Sequence, residues 1–483
     1  MRIPIDHDSE QPLYQQIEGY LRQGIGAGSI AAGTQLPATR LLAQGLGVSR
    51  ITVESAYAAL EADGLIERRM GSGTYVLAPA AAPRHPARAE WPLWQAAFAE
   101  LPPAAAAAPR AHPSPIRFMG FGDPRRFPAE PFARVLRDVL REDGSAALVL
   151  EDPQGYAPLR ATVAQVLSSQ GIQAQPEQVL ITTGSQQALA LAVQLLLRPG
   201  DTVLVEQPSY DGALDLFRAH RIAMVGCPID EHGMRTELLE PLLQQHHPRM
   251  IYSIPNFQNP SGACLSLARR RELIALADRY NIPILEDDFV GDLRYEGRTL
   301  PALKALDPGG RVIYAGTFSK LLMPGLRVGF LVAEGPVFGA LARLKRVGDL
   351  ATSGLIQRAL DRYVTVGSYH AHIRRSCQVY RRRRDALLQA VGRALPGARA
   401  SVPHGGLFVW VQLPQDVTAS ALLPLAVEHG VEFAAGPRFF PSPADGEPFM
   451  RLNFATQGLE EIDEGMRRLG AAAAQLRGGA RPR

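Results

Sequence analysis

Lysine is almost absent from this chain. Of its 51 basic side chains in 483 residues, only Lys304, Lys320 and Lys345 are lysines. Cysteine is equally scarce. Cys227, Cys264 and Cys377 lie far apart, which excludes a disulfide framework and a cysteine metal knuckle and points to a reducing compartment without a bound metal. The first residues, "MRIPIDHDSEQPLYQQ", lack the apolar core of a signal peptide, and no apolar run reaches the length of a bilayer span. A cytoplasmic protein with no membrane partner is expected. Extreme charge is missing as well. The net charge is +4, only a weak pointer to nucleic acid.

What is present divides in two. A composition of 46% hydrophobic and 20% charged residues is that of an ordinary globular protein, and the length calls for more than one domain. An Ala/Pro-rich stretch, residues 78–115, reads as a semi-extended linker whose middle, "WPLWQAAFAEL", suits a short amphipathic helix. It separates a head of residues 1–77 from a body of residues 116–483.

In the head, "PLYQQIEGYLRQGI" places Leu13, Ile17, Tyr20 and Leu21 on one helical face. "LPATRLLAQGLG" offers Thr39 as the N-cap of a short helix stopped by Gly45 and Gly47. In "VSRITVESAYAALEADGLI", Ser49 caps a helix with an apolar stripe of Val53, Ala56, Tyr57 and Leu60. "LIERRMGSGTYVL" reads as a hairpin turning at Gly71-Ser72-Gly73. That order predicts a winged helix-turn-helix that reads double-stranded DNA. Ser49, Arg50 and Thr52 would face base edges or phosphates, with Arg40 near the backbone. Arg68, Arg69, Gly71 and Gly73 would form the wing. Residues 1–77 carry six arginines against eight acids, but the acids are expected mostly outside the contact surface, where local charge decides. A small protein-binding helical domain is the alternative. The segment 11–77 resembles the winged helix-turn-helix of the GntR regulators, with Ile51 standing where many relatives carry a polar residue.

In the body, strand-like and helix-like segments alternate from about residue 176, which predicts an α/β fold with a mostly parallel sheet covered on both faces. Ligands on such sheets bind at strand carboxyl ends, and the polar clusters fall there. An amine can capture a carbonyl as a Schiff base where a guanidinium cannot, which makes Lys320 in "GTFSKLLMPGLRVG" a candidate for an aldehyde ligand, although an exposed strand end would also suit a lysine. If that ligand is pyridoxal 5′-phosphate, each cluster has a task. Gly184, Ser185 and Gln186 open a helix and suit its phosphate, together with Thr317, Ser319 and Arg327. Asp287 in "LEDDF" would pair with the pyridine nitrogen, Asn259 would donate to the ring hydroxyl and Tyr210 would stack on the ring.

"TTGSQQAL", "PNFQNPSG", "LEDDF", "GTFSKLLMPGLRVG" and "MRLNFA" resemble the signature segments of fold-type-I aminotransferases, over roughly residues 116–475. With the head in front, the whole chain resembles the MocR subfamily of GntR regulators. The resemblance implies a large sheet with a small C-terminal α+β subdomain, and a head-to-tail, domain-swapped homodimer. It also makes Lys320 the Schiff-base lysine and Arg451 the arginine that grips an amino acid's carboxylate. The expected function is a PLP-dependent transcriptional regulator that senses PLP or an amino compound and controls vitamin B6 or amino-acid and amine genes. A working aminotransferase with an appended DNA reader is the rival. Three departures bear on that choice. Phe289 replaces a tyrosine that reaches the ring hydroxyl. Gly212 replaces the second carboxylate-binding arginine of some GABA-responding members. Leu150 replaces a tyrosine that reaches the partner subunit's phosphate.

Overall fold

The computed structural model describes residues 3–6, 9, 11–69, 71–77, 115–318, 320 and 322–479. The predicted linker, but for Pro115, and its amphipathic helix lie outside them, as does Ser319. Two compact units are present, Met1–Ala106 and Ala107–Arg483.

The first unit contains α1 (Leu13–Gly26), β1 (Gln35–Leu36), α2 (Thr39–Leu46), α3 (Arg50–Ala62), β2 (Ile66–Arg69) and β3 (Gly73–Val76). Its core joins Ile17, Leu21 and Ile25 of α1 to Val53, Ala56, Tyr57 and Leu60 of α3. The α1 stripe therefore follows the i, i+4, i+8 row, and Tyr20, expected on that face, is 39% exposed on its flank. The predicted cap of α2 is also corrected. Thr39 is the first helical residue, Ala38 precedes it, and no side chain caps the helix. Ser49 does cap α3, its hydroxyl accepting from the Thr52 amide at 3.1 Å. The hairpin β2–β3 pairs Arg69 with Gly73, and β1 adds a third strand to β3. Two residues are too few for β1 to show a period in the sequence.

The second unit is built on an eight-stranded sheet. Its strands are β5 (Val179–Thr182), β6 (Thr202–Gln207), β7 (Ala223–Asp230), β8 (Gly233–Met234), β9 (Met250–Ser253), β10 (Ile284–Asp288), β11 (Val312–Thr317) and β12 (Gly329–Val332), while β4 (Ile116–Arg117) lies apart. They are ordered β5-β12-β11-β10-β9-β6-β7-β8. The run β11-β10-β9-β6-β7 is parallel, and fully apolar strands such as β5, β9 and β12 are buried throughout, as expected for a sheet covered on both faces. One strand departs from the parallel expectation. β12 runs antiparallel to both β11 and β5, which makes the sheet mixed. That reversal has a consequence for the site: its register sets Gly329, at the start of β12, beside Thr182 and Thr317, at the ends of β5 and β11. Residues 327–328 thus arrive at the carboxyl edge from the opposite direction. A smaller sheet follows, made of β13 (Arg399–Ala400), β14 (Phe408–Gln412), β17 (Phe449–Asn453) and β16 (Ala434–Ala435), while β15 (Val431–Glu432) pairs with β4. No helix among the described residues is long and apolar enough to cross a membrane.

Candidate functional site

Four sheet ends converge. β10 delivers Asp287 and β11 delivers Thr317 and the loop to Lys320. β5 leads through Gly184 into the helix Ser185–Leu196, and the turn before β12 supplies Arg327. The first N–H groups of that helix have no intrahelical acceptor, and the aligned peptide dipoles make its start electropositive. Gly184 has φ +82°, and a Cβ built there would stand 2.8 Å from Nη2 of Arg327. Only glycine lets this guanidinium lie against the helix start, where Arg327 Nη2 donates to the Thr183 carbonyl at 3.2 Å. The pair forms an anion cradle. Thr317 borders it with its hydroxyl donating to the Val328 carbonyl at 3.1 Å.

Lys320 is half-buried, and its Nζ sits 3.1 Å from the centroid of the Phe121 ring. Burial, reinforced by Arg327 and Arg451, pulls the amine down to about 8, against an opposing pull from Asp287. The chain thus holds one of its three lysines as a poor cation and a ready nucleophile. Asp287 is only 2% exposed, and burial pushes its carboxyl up to about 7, with the neighbouring Asp288 adding to the rise. Tyr252 opposes that shift, donating its hydroxyl to Asp287 Oδ2 at 2.8 Å. The other oxygen, Asp287 Oδ1, is buried without a partner. An unpaired buried carboxylate oxygen costs free energy unless a donor arrives.

Asn259 and Arg451 form the opposite wall. Arg451 Nη1 donates to Asn259 Oδ1 at 2.7 Å, which leaves the Asn259 amide NH₂ as a free-facing donor group. A surface position was the plain alternative for Arg451. Instead it is 5% exposed, with its guanidinium 4.1 Å from the Phe408 ring and 4.8 Å from the Phe439 ring. Burial lowers it to about 10, and its Nε has no acceptor.

Tyr210 donates to Gln186 Oε1 at 3.3 Å, and Gln186 Nε2 donates to the Gly212 carbonyl at 2.9 Å. Gln186 thus contributes through its side chain as well as its helix-end amide. A Cβ on Gly212 would lie 2.5 Å from the Tyr210 ring. An arginine at 212 and Tyr210 in this pose are mutually exclusive, which gives a physical basis for the departure seen in the sequence. Phe289 is buried and stacks with Phe408 at 6.3 Å between centroids, so an apolar layer stands where a hydroxyl was looked for.

Tyr252 and Phe121 escaped the sequence reading. Tyr252 faces Leu285 across the β9–β10 ladder, two residues and one same-face step from Asp287, a pairing that depends on register and that no local pattern marks. Nothing in the sequence foretold Phe121, which meets Lys320 only through tertiary packing.

The residues expected to read DNA lie in the first unit. Arg40, Ser49 and Arg50 are exposed on α2, at the α3 cap and on the first turn of α3, with Thr52 half-buried beside them, and Arg68 and Arg69 line β2. The acids keep only partly clear of this surface, three of the eight pairing with arginines expected to touch DNA: Arg50 with Glu54 at 2.7 Å, Arg68 with Glu61 at 3.2 Å and Arg69 with Glu67 at 3.1 Å. Glu54 and Glu67 share an element with their arginines, while Glu61 reaches Arg68 from α3, and exposed pairs of this kind are worth about 0–1 kcal/mol each. Ile51 is 73% exposed beside Arg50.

Residues 119–469 match the family model for aminotransferase class I and II, and residues 13–76 match that of the bacterial regulatory proteins of the gntR family. The chain is similar to the probable rhizopine catabolism regulatory protein MocR of Rhizobium meliloti, at 32% identity over 91% of this chain and 90% of that one. It is similar to the HTH-type transcriptional regulator YisV of Bacillus subtilis, at 31% identity over 97% of both chains. The α-aminoadipate aminotransferase LysN of Thermus thermophilus, solved with N-(5′-phosphopyridoxyl)-L-leucine, superposes with a TM-score of 0.71 at 38% identity, covering 76% of this chain and 94% of that one.

Proposed function

The chain belongs to the aminotransferase class I and II family with a gntR-family DNA reader in front, the MocR arrangement, and from that premise we propose that it senses PLP or an amino compound at Lys320 and converts the binding into altered DNA affinity. The cofactor is pyridoxal 5′-phosphate, and the residues present fit it. The cradle of Gly184, Ser185, Gln186 and Arg327 suits its phosphate. The orphaned Oδ1 of Asp287 suits a protonated ring nitrogen, Asn259 has a donor for the ring hydroxyl, and Tyr210 flanks the space between. When bound, the cofactor supplies an aldehyde that amines capture reversibly and a ring that withdraws electrons.

This chain's own residues do the rest. Lys320, its amine lowered to about 8 by burial, would hold the cofactor's aldehyde and, as a free amine, would be able to move a proton. Arg451 grips the carboxylate of an amino-acid effector, its desolvated guanidinium being worth more there than in water. Tyr252 favours the charged form of Asp287 against the rise that burial causes. Tyr252→Phe should raise the Asp287 carboxyl further and weaken cofactor binding about tenfold or more, the loss of a hydrogen bond to a charged group. Titration of apoprotein with PLP, followed by absorbance, measures this. An affinity equal to that of the natural protein would sink the positioning role.

The observation that carries the reading is the conjunction of this pocket with a DNA reader in regulators that match over nearly the full length. Genes of vitamin B6 or amino-acid and amine metabolism are the proposed targets, in a cytoplasmic homodimer exchanging its DNA readers. The run Leu148, Val149 and Leu150, 67%, 62% and 72% exposed, supports a second copy that covers it. The experiment is DNA-binding anisotropy on the full chain, using the intergenic DNA beside its gene. Affinity should shift when PLP or the correct amino acid is added. In the same assay Arg50→Ala should lose about 1–3 kcal/mol if it reads a base, since Glu54 must release it on docking. Unchanged affinity at matched salt would move the recognition surface elsewhere.

A second reading, a working aminotransferase, draws on the intact set Lys320, Asp287 and Arg451 and on the 38% identity to LysN. Sustained keto-acid production with DNA affinity indifferent to the amino acid would establish it over the first.

A further inference from the structure

A cavity of about 860 Å³ opens beside β14 and β17, with Trp410 and Phe449 among its lining. Its walls come from the β7–β8 turn, from residues 261–266 after the Asn259 loop, from residues 294–300 and from the segment before β14. Most of that lining is apolar. Trp410 is stacked on Phe449 at 5.3 Å, Phe449 on Phe440 at 5.9 Å, and Val402 is 62% exposed at the rim.

Two cations on this wall have no carboxylate partner among the described residues, Arg298 being exposed and Arg294 half-buried. Arg294 lies 4.7 Å over the Phe257 ring and donates weakly to Cys264 Sγ at 3.9 Å. Its Nε is buried without an acceptor, and it pairs with no carboxylate among the described residues. Two acids share the lining: Asp230 is already held by both terminal nitrogens of Arg269, at 2.5 and 2.8 Å, and Glu231 is exposed. A desolvated guanidinium left unpaired beside an aromatic wall is complementary to one anionic head on an apolar body.

We propose that this cavity is a second ligand site, binding a compact aromatic or branched apolar monocarboxylate with its carboxylate on Arg294 and its body along Trp410 and Phe449. The site is separate from the cofactor pocket but adjoins it. Trp410 pairs with Arg451 across the β14–β17 ladder and meets Phe439 edge-on at 5.6 Å, while Arg451 lies over the other side of the Phe439 ring system at 4.8 Å. An occupant therefore bears on the arginine that grips the amino-acid effector.

Cys264 supplies a readout independent of cofactor chemistry and of DNA. It lines the cavity, whereas Cys227 is buried and Cys377 lies elsewhere. The probe is 4-phenylbutyrate, with 4-phenylbutyramide as its neutral match, added to the full-length PLP-loaded protein. N-ethylmaleimide labelling at Cys264 is followed by mass spectrometry. The acid should slow labelling saturably, by roughly tenfold at about nine times its Kd, and the amide should not. Arg294→Gln should abolish the protection. Val402→Trp, a change at an exposed rim, should abolish it by filling the cavity while the cofactor's colour is retained. Equal protection by acid and amide, protection that survives Arg294→Gln, or no protection at all would overturn the assignment. None of these outcomes depends on whether the DNA reader responds to the cofactor.

Discussion

Lys320→Ala protein purified in the presence of PLP should be colourless in the visible, while the natural protein carries the absorbance of the lysine-bound cofactor. Non-covalent contacts at the cradle and at Asp287 survive the substitution, so some cofactor remains bound, but no other lysine can replace the lost bond. Lys304 is buried against Glu334 and Lys345 is buried against Asp349. Borohydride reduction should accordingly tag the peptide holding Lys320 in the natural protein and no peptide in the variant. A tag at Lys304 or Lys345, or the lysine-bound cofactor's absorbance in the variant, would refute the site. The pH dependence has a definite sign. Burial lowers the Lys320 amine to about 8, so about one molecule in ten is a free base at pH 7, against about one in three thousand for an ordinary lysine at 10.5. Capture of PLP by apoprotein should therefore accelerate with pH and level off above a midpoint near 8. The same shift bears on stability. The folded chain binds fewer protons than the unfolded one between about 8 and 10.5, so this group's contribution to stability rises with pH across that window.

The parts of the site that were legible in the sequence are those where chemistry and strand position coincide. Lys320, Asp287 and the Gly184–Gln186 helix start each follow an apolar strand, and an α/β sheet brings such ends together whatever the details of packing. Pairings that depend on register or on a neighbour in space were not legible. Tyr252 reaches Asp287 only because β9 lies beside β10 in one register, and Phe121 reaches Lys320 from about two hundred residues away. The direction of β12 was hidden for a related reason. "RVGFLVAE" is apolar in either orientation, and buried strands carry no alternation that marks which way they run. In the first unit what stayed hidden was electrostatic. A net count of acids and arginines over residues 1–77 does not say that Glu54, Glu61 and Glu67 stand one side chain away from the arginines expected to touch DNA. Folding places those pairs, and DNA binding must exchange each of them for a phosphate or base contact.

Arg451→Gln should separate cofactor binding from effector sensing more sharply than any other single change. The natural guanidinium is buried between Phe408 and Phe439, bonded once to Asn259, and its Nε is without an acceptor. Burial, with Arg438 adding to it, lowers it to about 10, which leaves it charged at neutral pH but poorly solvated. A carboxylate arriving there meets a cation that has already lost its water, so the new bonds are not offset by further desolvation of the protein. Glutamine keeps a donor for Asn259 and much of the stem that covers the rings, and removes only the charge and the two-pronged grip. Amino-acid affinity should fall by about 2–5 kcal/mol, the range for truncating one member of a buried charge pair, or at least about thirtyfold. The PLP absorbance should be little changed, because Asp287, Tyr252 and the cradle are untouched, while its pH midpoint should move up, since Arg451 is one of the charges that hold the Lys320 amine low. Absorbance titration with a panel of amino acids, read beside DNA anisotropy, makes the comparison. If the variant still answers the same amino acid at the same concentration, the effector's carboxylate is held elsewhere. If instead the natural protein answers PLP alone and no amino acid, Arg451 serves the architecture of the pocket and the cofactor itself is the signal.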